Sequence, residues 1–156
     1  MRLKNKIAIL TGATGGIGEA TASRFVSEGA KIAVVDIQKE KVEKLVAKIG
    51  QDSALALTGD VTDIDSVKEC VEKTMAHYGQ LDIAFLNAGI EGEVAKITEY
   101  SLESFEQVMA VNVTGVFLGL KSVIPQMQIN GGGSIIITSS LGGLRGQSKL
   151  APYIAS

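Results

Sequence analysis

The feature that most constrains the fold is a regular alternation between short β-branched segments and segments with helical periodicity. Strands are predicted at residues 7–11, 31–36, 54–59, 81–87 and 134–139. Several of them are nearly continuous apolar runs, such as Ile135-Ile136-Ile137, and such runs are typical of parallel strands buried on both faces. Because parallel strands need crossover connections, the alternation predicts a doubly wound α/β fold, an open parallel sheet with helices on both faces.

The segments between the strands have apolar residues at helical spacing. One stripe contains Val42, Leu45, Val46 and Ile49, and a second contains Val67, Val71, Met75 and Tyr78. The second stripe follows Thr62-x-x-Asp65, which resembles a capping box at the start of a helix. Residues 101–128 are predicted to form one long helix with apolar residues on more than one face, so this helix needs cover on most sides.

Length and composition bound the class of protein. A chain of 156 residues predicts a single domain, 1–156, and its 46% of hydrophobic residues exclude an intrinsically disordered chain. The net charge of −2 provides no basic stripe, so we expect no nucleic-acid partner. One cysteine and one histidine leave few metal ligands, and we expect no metal site. The N-terminal segment has only four consecutive apolar residues, 7–10, so we expect no signal peptide, no membrane partner and a cytoplasmic protein.

A glycine-rich segment, Thr-Gly-Ala-Thr-Gly-Gly-Ile-Gly at residues 11–18, follows the first predicted strand and opens the first helix. Glycine lets the backbone turn tightly and approach a ligand, and a helix N-terminus offers free N–H groups to a phosphate. No Gly-Lys-Ser/Thr closes the segment, which excludes a P-loop. A strand–helix turn that needs glycine only for its own geometry is the alternative to a phosphate-binding loop.

Asp36 ends the second predicted strand, 18 positions after Gly18. An acidic residue near this spacing can accept hydrogen bonds from the ribose hydroxyls of a dinucleotide, and an N-cap role for the next helix is compatible with that function. The carboxylate would repel a 2′-phosphate, and the residue after it is the apolar Ile37, although Lys39 is close. NAD is therefore favoured over NADP as the cofactor.

A series of motifs in order resembles the short-chain dehydrogenase/reductase family. They are the glycines Gly12, Gly16 and Gly18, then Asp60-Val61, Asn87-Ala88-Gly89, Val111-Asn112-Val113, Ser139-Ser140 and Tyr153. The resemblance covers essentially the whole chain and implies a Rossmann fold with a nicotinamide cofactor. The cofactor contacts are assigned to Gly12, Thr14, Gly15, Gly16, Ile17, Gly18, Asp36, Ile37, Asp60, Val61, Asn87, Ala88 and Gly89.

The resemblance also implies a catalytic set. Ser140 and Tyr153 are 13 residues apart, the separation that the family uses. Ser139 points to the other face of the strand, so Ser140 is preferred. A free tyrosine has a pKa near 10, and a neighbouring cation lowers it. The family implies that Tyr153 is the acid/base, that Ser140 orients the substrate oxygen, and that a lysine four residues after the tyrosine is the cation. The implied reaction is hydride transfer between NAD(H) and a secondary alcohol or ketone.

Asn112 is a further candidate. It falls on a predicted core-facing stripe with Leu102, Phe105, Met109 and Val116, and a buried amide must be hydrogen-bonded. Two roles stay open, a structural amide that pairs with backbone and, by the resemblance, an amide that holds a water in a proton relay.

The sequence stops at Ser156, before the position of the family's lysine, and we therefore expect that a C-terminal part of the Rossmann domain is missing. The alternative is a catalytically dead NAD-binding module. A methyltransferase that uses S-adenosylmethionine ranks low because it explains neither Asn-Ala-Gly nor the Ser140–Tyr153 spacing. As in related dehydrogenases, we expect the long helix to pack on a second subunit, which gives a homodimer or homotetramer. Residues 87–92 and 141–152 should border the small-molecule substrate.

Overall fold

In the computed structural model, which describes residues 1–156, strands and helices alternate along the chain. The strands are β1 (Ile7–Thr11), β2 (Lys31–Asp36), β3 (Ala54–Thr58), β4 (Ile83–Leu86) and β5 (Ser134–Ile137). The helices are α1 (Gly16–Ser27), α2 (Lys39–Ile49), α3 (Ile64–Tyr78), α4 (Leu102–Met109), α5 (Gly115–Ile129) and α6 (Ala151–Ala155). A π-helical turn, Ala110–Thr114, joins α4 to α5, and a 3₁₀ turn, Leu141–Gly143, follows β5.

The five strands form one parallel sheet in the order β3-β2-β1-β4-β5. Successive side chains of a strand point to opposite faces, so each strand contributes to two cores. Ile32 and Val34 of β2 pack in the core beneath α1 and α2, whereas Ala33 and Val35 pack in the core beneath α3 and α5. Helices cover both faces of the sheet, and the strand order reverses between β1 and β4. These two features confirm the predicted doubly wound fold.

The predicted strands β1 and β2 have the bounds that the structure shows, and β3, β4 and β5 are shorter than predicted. The expectation that β5 is buried on both faces is wrong. Ile136 and Ile137 are 42% and 47% exposed, and β5 is an edge strand that pairs only with β4.

The predicted capping box of α3 is also wrong. The N-cap is Asp63, whose side chain accepts a hydrogen bond from the N–H of Asp65. The N–H and hydroxyl of Thr62 instead donate to Asp60 Oδ1, at 2.8 and 2.7 Å. A local side-chain contact of this kind competes directly with a capping interaction, and here it leaves Thr62 outside the helix.

The long helix predicted at 101–128 is confirmed as one continuous stretch, Leu102–Ile129, with the π-helical turn inside it. The predicted core-facing stripe is only partly right, since Leu102 is 70% and Phe105 37% exposed while Val108 is fully buried. A π turn adds one residue to a helical turn, so residues before it do not continue the stripe that follows it. By length and apolar composition this helix could span a membrane, but in this fold its Gly115, Gly119, Val123 and Met127 are buried against the domain.

Candidate active site at the carboxyl edge of the sheet

The predicted site residues converge on one edge of the sheet. The glycine-rich loop, residues 12–18, follows β1, and Asp36 is the last residue of β2. Asn87 follows β4, and Ser140 lies just past β5. Because all strands are parallel, their carboxyl ends meet at one edge, and the crevice between β1 and β4 lies where the strand order reverses. Doubly wound sheets bind their ligands at this place.

Two glycines of the loop are required by packing. Gly12 has a φ of +60°, and a Cβ there would lie 2.7 Å from the Cα of Ala88. A Cβ at Gly18 would collide with the carbonyl oxygen of Gly12 and lie 2.7 Å from the Cα of Ala13. Any larger residue at either position would push the loop away from its neighbours. Gly12 and Gly18 are therefore explained by the geometry of the strand–helix turn alone.

The other two glycines leave space open. A Cβ at Gly16 would meet nothing within 4 Å, and one at Gly15 would meet only the carbonyl oxygen of Gly12, at 3.6 Å. Gly15 is the N-cap of α1, and no side chain caps this helix. The first N–H groups of α1 therefore face an open cradle, which fits a diphosphate group. Two glycines thus serve the fold and two leave room for a ligand.

Asp36 holds the glycine-rich loop from the next strand. Its Oδ2 accepts hydrogen bonds from the N–H of Thr14 at 3.1 Å and from its hydroxyl at 2.7 Å. Its Oδ1 accepts only from the N–H of Gln38, at 3.3 Å. The N-cap of α2 is Gln38 without a side-chain bond, so an N-cap role for Asp36 is wrong. A carboxylate has about four acceptor sites, and these three bonds leave one of them, on Oδ1, for a ribose hydroxyl.

Two exposed apolar side chains lie at the carboxyl edge of the sheet. Ile17 is in the first turn of α1 and Ile37 directly follows Asp36, and both are 62% exposed. Val61 lies against Gly115, where a Cβ would be 3.0 Å from Val61 Cγ2. Asp60 Oδ1 accepts both hydrogen bonds from Thr62. Ile37 therefore offers, next to Asp36, an apolar contact of the kind that a flat aromatic base would use.

Asn87 ties three strands together. Its side-chain amide donates to the carbonyl oxygen of Gly12 at 3.2 Å, and its Oδ1 accepts from the hydroxyl of Thr138 at 2.8 Å. The N–H groups of Asn87 and Ala88 donate to the hydroxyl oxygen of Thr11, at 3.0 and 3.2 Å. Sequence analysis missed Thr138. The parallel register pairs Leu86 with Ile137 and so places Thr138 opposite Asn87. A correct alignment of the two predicted strands is the one feature that could have identified Thr138.

Asn112 lies in the middle of the π-helical turn and is half-buried. Its Oδ1 accepts from the N–H of Ile90 at 2.9 Å, and its Nδ2 donates to the carbonyl oxygen of Ile90 at 3.0 Å and to Ser156 Oγ at 2.9 Å. A Cβ at Gly89 would lie 3.4 Å from Asn112 Oδ1, so the absence of a side chain at Gly89 leaves space for the Asn112 amide. The predicted pairing of this amide with backbone is confirmed.

Ser140 and Tyr153 lie on the two sides of Gly142. The position that a Cβ of Gly142 would occupy is 3.4 Å from Ser140 Oγ and 3.5 Å from Tyr153 Cε1. Ser140 Oγ accepts a hydrogen bond from the N–H of Gly142 at 3.1 Å, which leaves its own hydrogen available. Tyr153 is half-buried on α6. Ser139 Oγ lies instead near Gly143, at 3.9 Å from its Cβ position.

The site is built without clustered metal ligands. No three His, Cys, Asp or Glu side chains come together in a group that could hold a metal ion. The doubly wound parallel sheet defines an α/β protein of the Rossmann type. An open glycine cradle at the helix N-terminus, an acidic residue on the next strand and a serine–tyrosine pair lie at the same edge of this sheet. The chain belongs to the short-chain dehydrogenase family, whose sequence profile matches residues 6–156.

One curated relative and two solved structures are similar to this chain over nearly its whole length. Secoisolariciresinol dehydrogenase of Forsythia intermedia is 41% identical over 156 residues, which cover 99% of this chain and 56% of that one. NAD⁺-bound xylitol dehydrogenase matches with a TM-score of 0.94 and 35% identity over 99% of this chain and 60% of that chain. The 3-ketoacyl-(acyl-carrier-protein) reductase of Brucella melitensis, complexed with NADH, matches with a TM-score of 0.94 and 36% identity. This match covers 98% of this chain and 64% of that chain. This chain thus spans 56–64% of the length of these three proteins.

Proposed function

We propose that this chain is the nucleotide-binding and catalytic part of an NAD-dependent oxidoreductase that interconverts a secondary alcohol and a ketone. The observation that carries the proposal is the convergence of the open glycine cradle, Asp36 and the Ser140–Tyr153 pair at one edge of the sheet. The names of the relatives, which are dehydrogenases and reductases, support it.

The residues at this edge fit NAD. The N-terminus of α1 above Gly15 and Gly16 would receive the diphosphate, and the free acceptor site on Asp36 Oδ1 would receive a hydroxyl of the adenosine ribose. Ile37, which is exposed directly after Asp36, would pack against the adenine. Asp36 disfavours a second phosphate on that ribose through charge repulsion, and this repulsion supports NAD over NADP.

The nicotinamide ring, when bound, supplies the acceptor or donor of the hydride. In oxidation, the free hydroxyl hydrogen of Ser140 donates to the substrate oxygen, and the Tyr153 oxygen accepts the proton that leaves this oxygen. In reduction, the Tyr153 hydroxyl returns the proton. Asn112 Oδ1 keeps one of its two acceptor sites free after binding Ile90, and we propose that this site holds a water of the proton relay.

The family resemblance adds a lysine four residues after Tyr153, whose charge favours the phenolate. The experiments below use two forms of the protein, the 156-residue chain and an extended form. We define the extended form as this chain continued past Ser156 to the length of its relatives, with a lysine at position 157. General acid/base catalysis contributes about 10²–10⁴ in rate, and a substrate that is not held in orientation by the remaining walls of the pocket loses more. We therefore expect no measurable turnover from the 156-residue chain and turnover from the extended form.

The test is NADH formation from a panel of secondary alcohols, followed by absorbance in both forms. Tyr153→Phe in the extended form should remove turnover and leave the Kd for NAD nearly unchanged. Tyr78→Phe is the matched control, since the Tyr78 hydroxyl donates to the carbonyl oxygen of Ile32, at 3.1 Å, and is not part of the proposed site. Tyr78→Phe should lower stability by about 1 kcal/mol and keep turnover. NAD binding without turnover in the extended form would favour the inactive NAD-binding module.

The face of the α4–α5 helix that turns away from the sheet supports a second proposal, assembly with another copy of the chain. Its apolar stripe contains Val113, Phe117 and Ile124, which are 40%, 59% and 39% exposed. A contiguous apolar face of this kind marks an interaction surface on a soluble protein. A two-fold pair of such helices would cover both stripes at once, since a two-fold axis places the same patch of each subunit opposite itself.

A further inference from the structure

The two segments that border the substrate side of the site are joined by one backbone hydrogen bond. The N–H of Ala95, in the segment after β4, donates to the carbonyl oxygen of Lys149 at 3.1 Å. Lys149 lies four residues before Tyr153 and has a φ of +70°. Left-handed backbone is uncommon for residues other than glycine, so the surrounding structure must hold Lys149 in this conformation.

The conformation of Lys149 turns the chain into the core. The next residue, Leu150, is only 3% exposed, and Pro152 is fully buried. The carbonyl oxygen of Leu150 accepts from the N–H of Ile154 at 3.0 Å, which starts the helix that carries Tyr153. The left-handed residue therefore sets both the depth and the starting direction of α6.

The segment that contains Ala95 is itself held firmly from the other side. Ile90 is bound at both its N–H and its carbonyl by Asn112. A Cβ at Gly92 would lie 2.5 Å from the Tyr100 hydroxyl oxygen, and the N–H of Glu93 donates to Ser104 Oγ at 3.3 Å. The segment is thus held against α4. The hydrogen bond from Ala95 connects Lys149 to this held segment.

The side chain of Lys149 takes no part in this arrangement. It is exposed and forms neither an ion pair nor a hydrogen bond, whereas its backbone carbonyl forms the bond to Ala95. We propose that the Ala95–Lys149 bond is a clamp that fixes the position of Tyr153 relative to Ser140, and that Lys149 is a positioning residue through its left-handed backbone. This inference rests on the proposed function, in which these two side chains meet the substrate oxygen.

Two substitutions at Lys149 separate backbone from side chain. Lys149→Val places a β-branched residue in the left-handed region, where it is strained, and should lower kcat of the extended form by about tenfold to a hundredfold, because small misplacement of a reacting group has effects of this size. Lys149→Gly accepts the same φ without strain and should restore kcat to near the unmodified value. The Kd for NAD should be the same in all three, since the glycine cradle is untouched.

Asn5 provides a matched control. It is the other non-glycine residue with positive φ, +64°, and it lies in the turn before β1, at the opposite edge of the sheet. Asn5→Val introduces the same kind of strain away from the site, so it should lower the melting temperature and leave kcat unchanged. A kcat that falls equally in Asn5→Val and Lys149→Val, or that Lys149→Gly fails to restore, would overturn the clamp.

Hydrogen exchange at the Ala95 amide gives a readout that needs no turnover. In the 156-residue chain, this amide should exchange at least about tenfold faster in Lys149→Val than in the unmodified chain or in Lys149→Gly, because a broken bond exposes the amide. An unchanged exchange rate would contradict the clamp even if kcat fell. Slow exchange that depends on Lys149, together with an inactive extended form, would support the clamp geometry and refute the proposed function.

Ala95→Pro covers the case in which Lys149→Val does not fold. Proline removes the N–H donor from the other end of the bond without any change at Lys149. Its kcat should fall by the same factor as in Lys149→Val, and the double substitution should lower kcat no further, since both remove one interaction. Additive losses in the double variant would show two independent effects and contradict a single clamp.

Discussion

Asp36 at the end of β2 accepts both the backbone N–H and the hydroxyl of Thr14, 22 residues earlier in the chain. The same carboxylate that stands where a ribose would bind therefore also holds the glycine-rich loop in place. Loop geometry and, in the proposed function, cofactor choice depend on one side chain, so we expect a substitution of Asp36 to affect both.

The first prediction concerns this double role. NAD(H) should bind at least about tenfold more tightly than NADP(H), about 1.4 kcal/mol. Asp36→Ala should narrow the ratio, since the repulsion of a 2′-phosphate is lost, and should weaken NAD binding because Thr14 loses its partner. Calorimetric titration measures both constants. Asp52→Ala, at an exposed turn before β3, should leave the ratio unchanged, and equal affinities in the unmodified protein would refute the assignment.

The second prediction concerns the stability that Asn112 contributes. Asn112→Leu is similar in size but leaves the N–H and the carbonyl of Ile90 without their partner. Unpaired groups of this kind cost about 1–3 kcal/mol, so the free energy of unfolding should fall by that amount. Urea unfolding of the 156-residue chain measures it. Asn130→Leu, at the exposed C-cap of α5, is the control and should change little; a similar loss in both variants would contradict the specific role of the Ile90 bonds.

The third prediction concerns pH and Asp82, which joins β1 to β4 at the amino edge of the sheet. Burial alone would raise the pKa of this carboxyl, but hydrogen bonds from the Lys6 ammonium, the Ile7 N–H and the Gln80 amide, each 2.8 Å long, outweigh burial and lower the pKa below its ordinary value. The stabilisation is therefore complete above the ordinary pKa of about 3.9 and is lost as the pH falls through the lower folded pKa.

Asp82→Asn should consequently be less stable than the unmodified chain at neutral pH, and its stability should vary less with pH below about 4. Thermal unfolding across this pH range provides the comparison. Asp52→Asn serves as the reference, because the Asp52 side chain forms no ion pair. Identical pH profiles for Asp82→Asn and the unmodified chain would show that the hydrogen bonds to Asp82 do not carry the effect.

The fourth prediction tests assembly. Phe117→Asp places a charge in the centre of the exposed apolar stripe and should convert a dimer or tetramer of the extended form into monomers, because an interface core does not accommodate an unpaired charge. Light scattering at micromolar concentration gives the mass. Ile129→Asp is the control, since Ile129 is 77% exposed on the same helix but about a third of a turn away from Phe117. A monomeric mass for the unmodified extended form would contradict the proposed assembly.

Much of the fold was open to prediction because its signals are local. The continuous apolar runs of β1 and β2 and the stripe of Val42, Leu45 and Val46 each reflect a repeat within a few residues, and these elements formed as expected. The glycine-rich loop and Asp36 were recognisable for a related reason. Their chemistry needs particular residue types at particular distances along the chain, and both features lie within the first 36 residues.

Contacts between distant parts of the chain decided the rest. Thr138 carries no motif, and only the parallel register of β4 and β5 places its hydroxyl on Asn87. Asp36 could have capped α2 by its position in the sequence, but the glycine-rich loop packs beside β2 and Thr14 takes the carboxylate. The left-handed backbone of Lys149 occurs together with a hydrogen bond to Ala95, which is 54 residues away in the chain. Periodicity and residue type determine elements and motifs locally, whereas side-chain partners depend on which elements the sheet brings together, and that information exists only in the assembled tertiary structure.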